Sequence, residues 1–211
     1  MNSLSVCGKR WVYKKFKSSE VSDFIEKYSL TEIVAKLLSI RKKNIDNIDL
    51  FLNPKIKNLL PNPMQLKDMR NAIERTYENI HNGGLIGIFG DYDVDGATST
   101  ALLARYFFSI KQKVHTYIPD RQTEGYGPNI NGFKNLINIG AKIIFTVDCG
   151  TSSYEPIELA QKLNVDVIVL DHHQSDIKLP NACAIVNPNR YDDTSGLNYL
   201  CAAGVCFIFL A

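Results

Sequence analysis

The sequence predicts an α/β fold: a parallel β-sheet flanked by helices, preceded by a mainly helical N-terminal segment. Three observations carry this. Short apolar runs of strand length recur at 85–89, 114–118, 143–147, 165–170 and 183–186. Helical segments separate the first four of them, and near-continuous apolar strands alternating with helices indicate a parallel sheet covered on both faces. Gly83-Gly84 marks a change of regime. Residues 1–83 hold 15 basic and 9 acidic side chains, whereas 84–211 hold 9 and 13. We therefore expect a basic helical segment over 1–83 and an α/β domain over 84–211. Such an asymmetry suits a polyanionic partner on one part and a cation on the other, although drift of surface charge produces it too.

The elements follow in order. The first 18 residues mix Trp11, Tyr13 and Phe16 with Lys14, Lys15 and Lys17, as in an edge strand or an arm against nucleic acid. Thr31-Glu32 opens a helix over Ile33, Val34, Leu37 and Leu38. Residues 49–52 read as a helical turn, and Pro61-Asn62-Pro63 as a break. Residues 65–81 form an amphipathic helix with Leu66, Met69, Ile73, Tyr77 and Ile80 on one face. In the α/β part, helices are expected over 97–110, 133–139 and 154–163.

Composition narrows the function. Of the 211 residues, 45% are hydrophobic and 22% charged, which excludes disordered, collagenous and low-complexity classes. The longest apolar stretch, 200–211, is shorter than the roughly twenty residues of a membrane span. The five cysteines are odd in number and contain no CxxC pair, which argues for a reducing cytosol over a disulfide framework or zinc knuckle.

Parallel sheets place their sites at the carboxyl ends of strands. The first strand ends in Gly90-Asp91-Tyr92-Asp93-Val94-Asp95-Gly96, the third in Asp148-Cys149-Gly150, and the fourth in Asp171-His172-His173. Two carboxylates about 4 Å apart repel by roughly 4 kcal/mol at an effective dielectric near 20, so five on one edge require protons or cations. Oxygen ligands with imidazole suit Mn2+ or Mg2+, and the count suffices for two ions. Taken singly, Asp95 or Asp171 reads equally as a helix N-cap. An EF-hand is excluded because it needs a Glu where Leu102 stands, and a phosphate-cradling loop because Asp replaces its Gly and Lys.

The chain resembles the DHH phosphoesterase superfamily and, within it, the RecJ single-strand DNA exonucleases. The resemblance rests on the 90–99 motif, Asp148-Cys149-Gly150 and Asp171-His172-His173. Further matching stretches are 59–63 with Lys67-Asp68-Met69, 118–121 with Glu124-Gly125-Tyr126-Gly127, and 184–189. It implies that Asp91, Asp93, Asp95, Asp148 and His172 ligate a Mn2+ or Mg2+ pair, with Asp148 bridging. It implies that Asp171 ligates or orients His172, and that His173 meets the scissile phosphate. Asp171, His172 and His173 are then the catalytic set, with Arg121 and Tyr126 beside the nucleic acid. The implied reaction is hydrolysis of single-stranded DNA from its 5′ end in cytoplasmic DNA repair and recombination. Implied partners are single-stranded DNA, single-strand DNA-binding protein, and further C-terminal catalytic and DNA-binding domains. The family's fourth motif, an Asp, is expected beyond Ala211. The apolar run 200–211 is then expected to expose Leu200, Val205, Phe207, Ile208, Phe209 and Leu210. Two alternatives stay open: a superfamily phosphodiesterase for oligoribonucleotides or cyclic dinucleotides, and a non-catalytic truncated remnant.

Overall fold

The computed structural model describes residues 4–41 and 47–211, which divide into two compact units, 1–60 and 61–211. The first unit is helical: α1 (Ser18–Tyr28), α2 (Glu32–Arg41), α3 (Ile48–Leu52) and α4 (Ile56–Leu59). Val21 of α1 and Ala35 and Leu38 of α2 are buried, and Ser39 donates to Glu20 across this pair. Helix α1 was not among the expected elements, although Val21, Phe24, Ile25 and Tyr28 recur at helical spacing. The expected edge strand near the N-terminus is reduced to one bridge between Leu4 and Arg10. Trp11 and Tyr13 are exposed.

The second unit is built on five parallel strands, β1 (Leu85–Phe89), β2 (Val114–Tyr117), β3 (Ala141–Val147), β4 (Asp166–Leu170) and β5 (Ala184–Val186). Their order in the sheet is β2-β1-β3-β4-β5. The chain leaves β1 to one side for β2 and then crosses to the other side for β3. This reversal lies between β1 and β3, the position where open α/β sheets leave a crevice at their carboxyl edge.

Both faces of the sheet are apolar at period two. Ile143, Phe145 and Val147 point to one face and Ile144 to the other, as do Ile168 and Leu170 against Val167 and Val169. The first face is covered by α5 (Met69–His81), α6 (Val94–Ser109) and α9 (Ala202–Leu210), the second by α7 (Ile130–Asn138) and α8 (Tyr154–Lys162). Burial of a large aliphatic or aromatic side chain contributes about 1.5–3 kcal/mol, so this double-faced core is the main source of stability. The connection 171–183 between β4 and β5 contains no helix, and it carries His172-His173.

The sheet unit begins before the compositional boundary at Gly83-Gly84. Helix α5 belongs to it, and Asp68 just ahead of α5 accepts from Ile185 N–H of β5. Leu66 and Met69 are buried and Ile73 and Ile80 pack on the core as expected, but the face of α5 departs from expectation at Tyr77. Met69, Ala72, Thr76 and Asn79 are buried, while Tyr77 is 69% exposed. Polar Thr76 and Asn79 are tolerated inside because each finds a backbone acceptor: Thr76 donates to Ala72 O and Asn79 to Gly84 O.

Helix α9 corrects a second expectation. Val205, Ile208 and Phe209 are buried against α6 and the sheet, and the Phe209 and Phe145 rings lie 5.6 Å apart. Of the apolar patch expected over 200–210, Leu200 and Leu210 are half-buried and Phe207 stays exposed. Among the described residues no helix is long and apolar enough to cross a membrane.

Candidate metal centre

The carboxyl ends of β1, β3 and β4 bring the expected acidic residues together. Helix α6 starts three residues earlier than its periodicity suggests, because Asp93 caps it by accepting from Gly96 N–H at 3.0 Å. The Asp-rich motif therefore wraps the first turn of α6 above β1. Gly96 permits this: a Cβ there would lie 2.6 Å from the backbone oxygen and Cβ of Asp91. Asp148 follows β3 directly and adopts φ +60°, a left-handed conformation that L residues with side chains rarely hold. Such strain concentrates at functional sites.

Two groups of ligating atoms, each within 4.8 Å of one another, result: Asp91, Asp93 and Asp148; and Asp148, His172 and His173. Asp148 belongs to both. Asp91 and Asp148 are 1% exposed, and Oδ1 of each has no hydrogen-bond partner. Burial, then the charges of Asp95 and Asp93, push the Asp148 carboxyl up to about 8. Burial likewise raises Asp91, whereas the Gly96 N–H holds Asp93 low. Buried carboxylate oxygens without donors, crowded by like charge, are chemically suited to cations.

The two histidines have different neighbours. His172 Nε2 lies 3.3 Å from Asp148 Oδ1 and 3.5 Å from Asp95 Oδ2. His173 Nδ1 instead lies 2.7 Å from Asp171 Oδ1, and Nε2 is 3.3 Å from Tyr126 OH. The resemblance pairs Asp171 with His172; the structure places the Asp171 carboxylate against the His173 ring. Asp171 also receives His172 N–H, His173 N–H and, on Oδ2, the N–H and hydroxyl of Thr151. Burial would raise Asp171, but hydrogen bonds from His173 and Thr151 outweigh it and hold the carboxyl near about 2. The same bond lifts His173 to about 9. Asp171 caps no helix, and with five donors it is an anchor for the His-His turn.

Asp95 falls outside both groups of ligating atoms. Both its oxygens accept backbone N–H groups, from Ala202 and Ala203. Its expected cap reading holds in an unexpected form, since the helix capped is α9 and not its own. Arg121 lies with its guanidinium 5.3 Å over the Tyr92 ring, and Tyr92 packs edge-on to Tyr126, which is 59% exposed. Three supporting residues had no assigned role: Thr151, Asn187 and Asn189. Asn187 Nδ2 donates to Thr151 Oγ1 and His173 O, and Asn189 Nδ2 to His172 O. Asn187 and Asn189 follow β5, so the strand-end rule applied to the fifth strand points to them.

A parallel sheet with Asp-rich and His-His strand ends at its switch point defines a metal-site α/β domain. Residues 85–211 match the DHH family, N-terminal domain, and the chain belongs to that family. It is 35% identical over 201 residues to the single-stranded-DNA-specific exonuclease RecJ of Bacillus subtilis, covering 94% of this chain and 25% of that protein. A crystal structure of exonuclease RecJ bound to manganese superposes with TM-score 0.63 at 33% identity, over 69% of this chain and 37% of that one. RecJ of Thermus thermophilus in complex with Mn2+ superposes with TM-score 0.68 at 26% identity, over 91% of this chain and 26% of that one. The chain spans about a quarter of the length of the curated relatives it matches.

Proposed function

We propose that this chain is the metal-binding part of a RecJ-type exonuclease. It hydrolyses phosphodiester bonds of single-stranded DNA from the 5′ end with Mn2+ or Mg2+, in cytoplasmic DNA repair and recombination. The observation that carries this reading is the sharing of Asp148, buried and with Oδ1 unbonded, between two ligand groups. Asp91, Asp93 and Asp148 would hold one ion; Asp148 and His172, with Asp95 alongside, would hold the other. Bound ions of this kind polarise a phosphoryl oxygen and lower the pKa of water.

The protein's own groups supply orientation. With Nδ1 committed to Asp171, His173 presents Nε2 to the cleft, where its N–H donates to a non-bridging phosphate oxygen. Asn187 and Asn189 fix the backbone carbonyls of His173 and His172, so neither ring drifts. Arg121 offers charge to the phosphates, and Tyr92 and Tyr126 offer ring faces to unpaired bases. Single-strand DNA-binding protein is the expected protein partner.

The test is single-turnover release of mononucleotides from end-labelled single strands, with Mn2+ and protein in excess so that slow cleavage is seen. Asp93→Ala serves as the control for contaminating nuclease. Cleavage from the 5′ end that stops with chelator and in Asp93→Ala is the expected result. Preference for dinucleotides over long strands, or a chain that binds no Mn2+, would overturn it.

A further inference from the structure

Asp95 stands in the first turn of α6, yet its carboxylate does not serve α6, which Asp93 caps. Asp95 Oδ2 accepts from Ala202 N–H and Oδ1 from Ala203 N–H, each at 2.8 Å. The same Oδ2 lies 3.5 Å from His172 Nε2, which lies 3.3 Å from Asp148 Oδ1. Helix α9 has no charged side chain and no hydroxyl, so its contact with this cluster is made by backbone alone. Its placement is fixed from the other side: Val205, Cys206, Ile208 and Phe209 are buried in the core shared with α6 and the sheet.

We infer that α9 is a positioning element of the metal centre: the N–H groups of Ala202 and Ala203 hold the Asp95 carboxylate beside His172 and Asp148. This rests on the reading of the cluster as a metal site. Two donors, one on each oxygen, fix both the place and the plane of a carboxylate, which one donor cannot do. Each oxygen keeps a further lone pair, and on Oδ2 that capacity faces His172. The competing account is that Asp95 is only the cap of α9, and matters to stability alone.

The two accounts separate at Ala202. It is the first residue of α9, and Cys201 before it is extended at φ −81°, ψ 171°, as a residue preceding proline must be. Ala202→Pro therefore deletes one donor to Asp95 while preserving the helix. Ala202→Gly keeps the donor and weakens the helix. Replacing Ala202 by its α-hydroxy acid, which turns the amide into an ester, deletes the same donor without a ring and substitutes for Ala202→Pro should that variant not fold. Mn2+ affinity is read by calorimetry and folding by thermal melting. The expected result is a Kd raised about 10–100-fold in the proline variant, the size usual for loss of a group that holds a ligand, with the glycine variant binding as the parent does. A folded proline variant with parental affinity would overturn the inference and leave the metal site standing. So would affinity losses that follow melting temperature across both substitutions. A parent chain that binds no Mn2+ would overturn the metal-site reading and this inference with it.

Discussion

Asp171 Oδ1 lies 2.7 Å from His173 Nδ1, and this contact decides which nitrogen of the ring faces the cleft. The carboxylate is 1% exposed and takes five donors, so it has no capacity left for another task. Asp171→Asn replaces acceptors by an NH2 group that must face either Thr151 or the histidine donors. The expected loss is about 1–3 kcal/mol in urea unfolding, the size of an unsatisfied buried polar group. His173 should also lose the partner that raises its pKa and titrate at lower pH, read by its nitrogen resonances. A variant as stable as the parent with unchanged His173 resonances would show that the contact is incidental.

Asp148 should affect metal binding and apo stability in opposite directions. Asp148→Ala removes a ligand from both groups, whereas Asp93→Ala removes one from a single group. Mn2+ affinity should therefore fall at least about tenfold further in the former, a difference of about 1.4 kcal/mol. In metal-free protein the same substitution should raise the melting temperature, because it deletes a buried carboxylate pressed by Asp95 and Asp93. Parallel changes in both measurements would contradict the role of Asp148 as the shared ligand.

Metal removal should be visible in stability without any substrate. A ligand that binds only the folded state stabilises it by about 2.7 kcal/mol at one hundred times its Kd. Saturating Mn2+ should raise the melting temperature, and chelator should return it to the apo value. Asp148→Ala should melt at one temperature in both conditions.

Gly96→Ala tests the close approach of α6 to the β1 loop. Alanine should favour the helix by about 1 kcal/mol on propensity. Against this, its Cβ would meet the Asp91 backbone at 2.6 Å, contact with a main chain that cannot swing away. Overpacking of this kind costs typically about 1–3 kcal/mol, so net destabilisation is expected, together with weaker Mn2+ binding as Asp91 is displaced. A stabilised variant with parental affinity would show that the loop relaxes freely.

Acid sensitivity should trace in part to Asp192, which pairs with Lys67 and Arg190. Lys67 at 2.6 Å, then Arg190, hold its carboxyl down near about 2 from an ordinary 3.8. A depressed carboxyl contributes stability that is complete above its unfolded value and is lost as pH falls through the folded one. The window is therefore between about pH 4 and pH 2. Asp192→Asn should flatten the acid limb of the melting profile there, melting below the parent at neutral pH and converging with it near pH 2. The effect should shrink in high salt, since the carboxylate is 38% exposed.

Sequence alone determined the alternation of apolar runs with helices, because strand and helix periods are local properties of the chain. It therefore placed Asp91, Asp148 and Asp171-His172-His173 at carboxyl strand ends, and the parallel sheet put those ends on one edge. Helix α1 was legible too, from Val21, Phe24, Ile25 and Tyr28. Tertiary structure decided what locality cannot encode. The order β2-β1-β3-β4-β5 set Asp91 and Asp148 on the two sides of the switch point. Asp68 and Asn79 tied α5 into the sheet unit and turned Tyr77 outward. The apolar α9 became core because α6 and the sheet lay open to it, whereas its composition alone predicts a need for further structure to cover it. Asp93, Asp95 and Asp171 are the same residue type, yet one caps its own helix, one holds the start of α9, and one anchors His173. Each carboxylate's role depends on which donors the fold brings within about 3 Å, and those donors lie up to 108 positions away along the chain.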